Sequence, residues 1–210
     1  MNAFTGIRNQ ANLGIIPFFI VNLAASPTSV TGGASSVGTV QINQPPDTKT
    51  GAIKIALTSS SSATSMPASV TIPVGSTSAT FTISTTPVPT TVQAGFAATY
   101  NGGQTTASLT VNAPTLRAFV LTPTKIIGGK GHNVTGGVEL TGPAPAGGVT
   151  VSLSKSRTDV ITIPASVFIP AGRLQATFTI TTAKVTANTG ATVYASAGGT
   201  QLSAGVLVEK

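Results

Sequence analysis

Few side chains in this sequence could do acid–base, nucleophilic or metal chemistry. The 210 residues include one histidine, four carboxylates and no cysteine. A Ser-His-Asp relay would have to recruit His132, which stands in the glycine-rich stretch GGKGHN (128–133) with no acid close in sequence. A serine nucleophile needs a sharp strand-to-helix turn of the G-x-S-x-G kind, and none occurs. GGKGH is no phosphate cradle, because such loops work through a following helix N-terminus and here a β-type run follows. Glycoside hydrolysis needs two acids facing one cleft. Glu139 falls on an alternating run and Asp159 near a turn, with nothing to pair them. No window holds two close carboxylates for calcium, and the missing cysteines remove disulfides and thiolate metal sites. The sequence therefore points to no enzyme, no metal and no cofactor. NVT at 133–135 fits a glycosylation sequon, a three-residue pattern of low specificity.

Charge is what remains. The formal net charge is +7, with 7% of residues charged. Eight cations stand against Glu139, Asp159 and Glu209 in residues 113–210, whereas residues 24–112 carry Lys49 and Lys54 against Asp47. A basic chain invites a nucleic-acid reading, which needs a clustered patch with stacking aromatics. Aromatics are 5% of this chain and no Arg-rich arm is present, so no specific nucleic-acid contact is expected.

The elements that must position these cations come from a repeat. MPASVTIPVGSTSATFTIST (66–85) returns as IPASVFIPAGRLQATFTITT (163–182), with thirteen of twenty positions identical. Two repeats of this size fit the chain beyond a short N-terminal remainder. Glycine, proline and β-branched residues are abundant, and no window keeps an apolar period of 3.6, so almost no helix is expected. Ile53, Ile55 and Leu57 alternate with polar residues, as do Val149, Val151 and Leu153. This period of two marks strands with one buried face. The second repeat predicts strands at 116–122, 134–141, 149–154, 160–169 (broken near Pro164), 174–182, 190–197 and 201–208. Pro73 and Pro170 mark strand ends or edges, since proline cannot donate to a ladder.

The run SPTSVTGG…GAIKIALTS…MPASVTIPVGSTSATFTISTTPV…NGGQTTASLTVN resembles the tandem Ig-like, fibronectin-III-like repeats of bacterial surface and phage proteins. The resemblance covers nearly everything beyond residue 23, and PASV-x-IP-x-G-x-x-x-ATFTI is its most specific block. It implies an all-β chain of two seven-stranded sandwiches serving as spacer, adhesive or decoration domains, with no catalytic residues. The antibody subgroup is excluded, because its cysteine pair and buried tryptophan are missing. The expected boundaries are an extended N-terminal arm at 1–22, a first Ig-like domain at 23–114 and a second at 115–210.

If the resemblance also sets strand order, three connections of the second domain gather at the end where the C-terminus leaves. They carry Lys125, Lys130 and His132, then Lys155 and Arg157, then Lys184, while the matching connections of the first domain hold no charge. One reading makes these loops solvated and nothing more. The other makes them a contact for an anionic partner, such as an acidic or phosphorylated glycan on a host cell surface.

The arm, MNAFTGIRNQANLGIIPFFIVNL, has an apolar run like that of a signal peptide, but one Arg precedes it and Pro17 and Asn22 interrupt it. It is too short and broken to span a membrane. Ile15, Ile16, Phe18, Phe19, Ile20 and Val21 instead suggest an extended docking segment, set on its own domain or on another chain. Two functions follow for a non-enzymatic structural protein. The first is a phage virion decoration, a capsid cement or fibre, whose arm binds a capsid or other virion protein. The alternative is a secreted or cell-surface bacterial spacer or adhesin. A sugar-binding accessory domain fits less well without tryptophan platforms.

Overall fold

Alternation of apolar with hydroxyl-bearing side chains makes the strands, and proline decides where several of them stop. The computed structural model describes residues 17–129 and 131–210, and every regular element in them is a β-strand. The first unit holds β1 (Ile20–Ser26), β2 (Ser29–Thr31), β3 (Ser35–Ile42), β4 (Ile53–Ser59), β5 (Thr64–Ser65), β6 (Ser69–Ile72), β7 (Ser78–Thr85), β8 (Val92–Tyr100) and β9 (Gly103–Asn112). The second repeats the series as β10 (Leu116–Thr122), β11 (Lys125–Ile127), β12 (Asn133–Leu140), β13 (Val149–Lys155), β14 (Ile161–Thr162), β15 (Ser166–Ile169), β16 (Gln175–Thr182), β17 (Thr189–Ala197) and β18 (Thr200–Glu209).

Each unit is a sandwich of a four-stranded and a five-stranded sheet. The orders are β1-β3-β7-β5 with β2-β9-β8-β4-β6, and β10-β12-β16-β14 with β11-β18-β17-β13-β15. The expected two tandem Ig-like sandwiches are present, with more strands per unit than the seven anticipated. Two proline breaks account for the difference. At Pro27 and Pro123 the first strand leaves the four-stranded sheet, and β2 and β11 continue on the opposite sheet, parallel to β9 and β18. At Pro164 the run 160–169 divides, so that β14 pairs with β16 in one sheet and β15 with β13 in the other. A three-residue strand has too little alternation to be seen as a period.

Each unit has its own core. Leu23, Val40, Ile55, Ile72, Ile83, Leu109 and Val111 are buried together in the first, and Phe119, Val138, Val151, Ile169, Ile180, Val193 and Val208 in the second. In both, one aromatic ring rests on a glycine of the neighbouring strand: Phe81 opposite Gly38, and Phe178 opposite Gly136. A β-carbon at either glycine would fall inside the ring. The ring thus covers a bare backbone and fills the centre of the sandwich, and in the second unit Phe119 stacks on it with centroids 6.3 Å apart.

The first strand opens before residue 23, where the first domain is expected to begin. β1 opens at Ile20, which pairs with Ile42, and a bulge follows before Asn22. Phe18 and Ile20 pack against the first core, while Phe19 and Val21 point outward. Ile15 and Ile16 lie outside the described residues.

Gly136→Val forces overpacking against Phe178 and should cost about 2 kcal/mol. Because the cores are separate, urea unfolding followed by fluorotyrosine labels at Tyr194 and Tyr100 should show only the second unit's midpoint falling. Equal falls at both labels would mean that the units unfold as one.

Candidate interaction surfaces

The distal end of the second unit brings together the loops that sequence reasoning placed there. Gly128 N donates to Glu209 O (2.9 Å), and Ala183 N to Val160 O (2.8 Å). Thr182, almost fully buried, links two more loops: its Oγ1 accepts from Gly129 N (3.4 Å) and donates to His132 O (3.2 Å). The connections after β11, β13 and β16 therefore form one surface beside the last strand.

The cations on that surface are not equivalent. Lys155 Nζ donates to Ile161 O at 2.6 Å, so its ammonium is spent on closing the crossing between β13 and β14. Arg157 grips Asp159 with two bonds, Nε to Oδ1 (3.0 Å) and Nη2 to Oδ2 (2.8 Å). That fork holds the Asp159 carboxyl down at about 2 and raises the guanidinium. His132 is exposed, and its Nδ1 lies 2.9 Å from Ile127 O. A carbonyl can only accept, so Nδ1 carries the proton and Nε2 faces outward. Lys125 and Lys184 are exposed. Lys130 lies outside the described residues. Of the candidate contact residues, Lys125, His132 and Lys184 are exposed among the described residues, while Lys155 and Arg157 also bond within the unit.

Glu139 pairs with Arg117 at 3.6 Å on β10 and β12, far along the chain from Asp159. Among the described residues His, Asp and Glu nowhere gather in threes. A shallow depression of about 230 Å³ over Thr58, Ser60, Gly95, Ala97 and Thr106 is lined by hydroxyls and small apolar groups.

The surface that the sequence reading missed is the joint between units. Ala113, Pro114 and Thr115 connect β9 to β10 and are tied at both ends. Ala113 N donates to Thr91 Oγ1 (3.2 Å), Thr115 N to Thr141 Oγ1 (3.0 Å), and Thr141 N to Thr115 O (2.9 Å). Beside this linker, Gly142 and Pro143 of the second unit sit directly on Thr31, Gly32 and Gly33 of the first. A β-carbon at 142 would come within 2.6 Å of Thr31 Cγ2, and one at 33 within 2.7 Å of Pro143 Cγ. Only glycine allows approach this close. The visible signals were the Gly-Gly after β2 and the Gly-Pro after β12, which read from sequence alone as ordinary turns.

The segment before the first unit follows the path of that linker. Phe19 N donates to Asn43 Oδ1 (3.0 Å) and Asn43 N to Phe19 O (3.2 Å), as Thr115 and Thr141 do. Asn43 Nδ2 also donates to Pro17 O (3.1 Å).

No protein-family profile matches this chain, and no curated protein matches it in sequence. Solved structures do. Invasin, a bacterial integrin-binding protein, aligns at 15% identity over 92% of this chain and 39% of its own, with a TM-score of 0.51. A multi-domain segment of titin aligns at 10% identity over 91% of this chain and 65% of that one, with a TM-score of 0.50. The Yersinia pseudotuberculosis adhesin InvE aligns at 16% identity over 89% of this chain and 58% of that one, with a TM-score of 0.41. This chain spans less than half of invasin. The fold is that of tandem Ig-like domains.

Two outcomes follow. In an NMR titration Asp159 should titrate near 2, and Arg157→Ala should return it toward 3.8. Because its folded value is depressed, whatever the pair contributes is present above the unfolded value and lost as pH falls through about 2. Both groups are exposed, so the melting temperature at neutral pH should not change in Arg157→Ala. Gly142→Leu should part the two units, and residual dipolar couplings should then report separate alignments for each. Common alignment in that variant would show that the linker, not the glycine contact, holds the joint.

Proposed function

We propose that this chain is a non-enzymatic module of a bacterial cell surface, in which Ig-like units in series act as a spacer within an adhesive protein. The observation that carries the proposal is the joint. A three-residue linker tied at both ends, with Gly142 and Pro143 set on Thr31–Gly33, limits how far the units swing and so converts two small sandwiches into length. The likeness in fold to invasin, a bacterial integrin-binding protein, supports a surface setting.

The virion reading draws on the arm as a free docking segment. Phe18 and Ile20 are taken up by the first unit's own core, which leaves Phe19 and Val21 as the described outward-facing apolar groups of that run. The surface module needs no such segment and is the better supported reading.

Immunogold electron microscopy with an antibody against the second unit decides between them, on producing cells and on particles purified from their lysate. Label on cell envelopes or extracellular filaments is the expected result. A regular array of label on capsids or tails would overturn the proposal and restore the virion role.

A further inference from the structure

The receiving half of the joint occurs twice, at the end of the first unit and again at the distal pole of the second. At the first place Thr31 pairs with Asn112, Gly32 N donates to Asn112 O (3.0 Å), and Gly33 N donates to Thr85 Oγ1 (3.0 Å). At the second, Ile127 pairs with Glu209, Gly128 N donates to Glu209 O (2.9 Å), and Gly129 N donates to Thr182 Oγ1 (3.4 Å). The path of the chain beyond the last strand matches as well. Lys210 N is held by Asn188 Oδ1 (3.1 Å), as Ala113 N is held by Thr91 Oγ1 (3.2 Å).

The two places differ in what covers them. Thr31 is half-buried beneath Gly142, whereas Ile127 is 56% exposed and a β-carbon at Gly129 would meet nothing within 4 Å. Threonine and isoleucine share a methyl branch at Cβ, so the methyl that Thr31 sets against Gly142 has a counterpart in Ile127. We infer that the distal pole of the second unit is a seat for the leading end of a further Ig-like unit, one that presents a Gly-Pro turn like Gly142–Pro143. The occupant lies in series, as the second unit lies on the first.

A second copy of this chain does not fit the seat. Register places Gln44 and Pro45 of the first unit where the second has Gly142 and Pro143, because Ile20 pairs with Ile42 as Leu116 pairs with Leu140. At Gly142 a β-carbon would come within 2.6 Å of the Thr31 methyl, so any residue but glycine at that place opposes the branched methyl. An anionic glycan fits less well too, since Lys155 and Arg157 are committed within the unit. Lys125 and Lys184 then flank the seat.

The inference extends the spacer reading but needs only the geometry of the joint, so docking and cell localisation can fail separately. The test is a fusion of the whole chain with a second copy of residues 114–210 placed after Lys210, at an ionic strength that screens the pole's cations. Ile127 methyl resonances and residual dipolar couplings are recorded, with the native joint as internal reference. The original Ile127 methyl should shift while that of the appended copy stays as in the unfused chain. The appended unit should share the second unit's alignment. Gly142→Gln in the appended copy alone, or Ile127→Glu in the original second unit, should each free it. Independent tumbling of the appended unit in the unsubstituted fusion would overturn the inference. So would a concentration-dependent Ile127 shift in the unfused chain, which assigns the seat to a second copy. In a parallel measurement at low ionic strength, where the cations are unscreened, heparin that shifts Ile127 and frees the appended unit would assign the seat to a glycan.

Discussion

Proline has no N–H to give to a ladder, and in each unit that omission sends the opening strand from one sheet to the other. β1 keeps its pairing with β3 as far as Ser26, and β10 its pairing with β12 as far as Thr122. Past Pro27 and Pro123 the chain re-pairs in parallel with β9 and β18. The crossing covers an edge of the five-stranded sheet that would otherwise offer unpaired backbone groups to other chains. It also brings the residues just after β2 and β11 alongside the end of the last strand. Thr31 thereby meets Asn112, and Ile127 meets Glu209. A break in hydrogen bonding near the start of the unit thus builds the surface at its far end.

That surface is where a repeat becomes an array. Small sandwiches bury limited apolar area, and each unit here closes its own core with no residue shared across the joint. The contact between units is therefore made by backbone proximity, not by a merged core. Glycine at 142 admits the Thr31 methyl, and the linker's amides are satisfied by Thr91 and Thr141. A joint of this type depends on a handful of positions. The two far ends differ in charge, with Lys184 standing where the first unit has Pro87, two residues past the aligned block.

Much of the fold was legible in the residues. The alternation at 53–57 and 149–153 gave strands with the correct buried face, and Pro164 marked a break that the structure contains. β2 and β11 were not legible, because three residues cannot establish a period and their partner is distant in sequence. Gly136 falls inside the expected strand 134–141 with nothing in the sequence to explain it, and Gly38 holds the same place in β3. Their purpose is visible only once Phe81 and Phe178 are seen lying across them. The site was legible in outline alone. Sequence gathered the cations at one pole, but it could not show that Lys155 reaches a carbonyl six residues on, or that Arg157 clamps an acid two residues away. Those contacts depend on how a turn folds back, which spacing does not specify.

The reduction of the pole's free charge changes what its composition means. Eight cations in the second half of the chain suggest an electropositive tip when counted. Placed on the structure, one closes a strand crossing, one neutralises Asp159, and Arg117 faces Glu139. Among the described residues, Lys125 and Lys184 stay exposed on the connections next to Ile127 and the glycines after it, and the two share no hydrogen-bond partner. Converging donors would be needed to hold a phosphate or sulfate with any specificity. Charge beside an exposed apolar side chain suits a macromolecular face instead, in which the centre is dried and the rim stays wet. The positive charge of the second unit is best understood as the rim of a contact whose centre is Ile127.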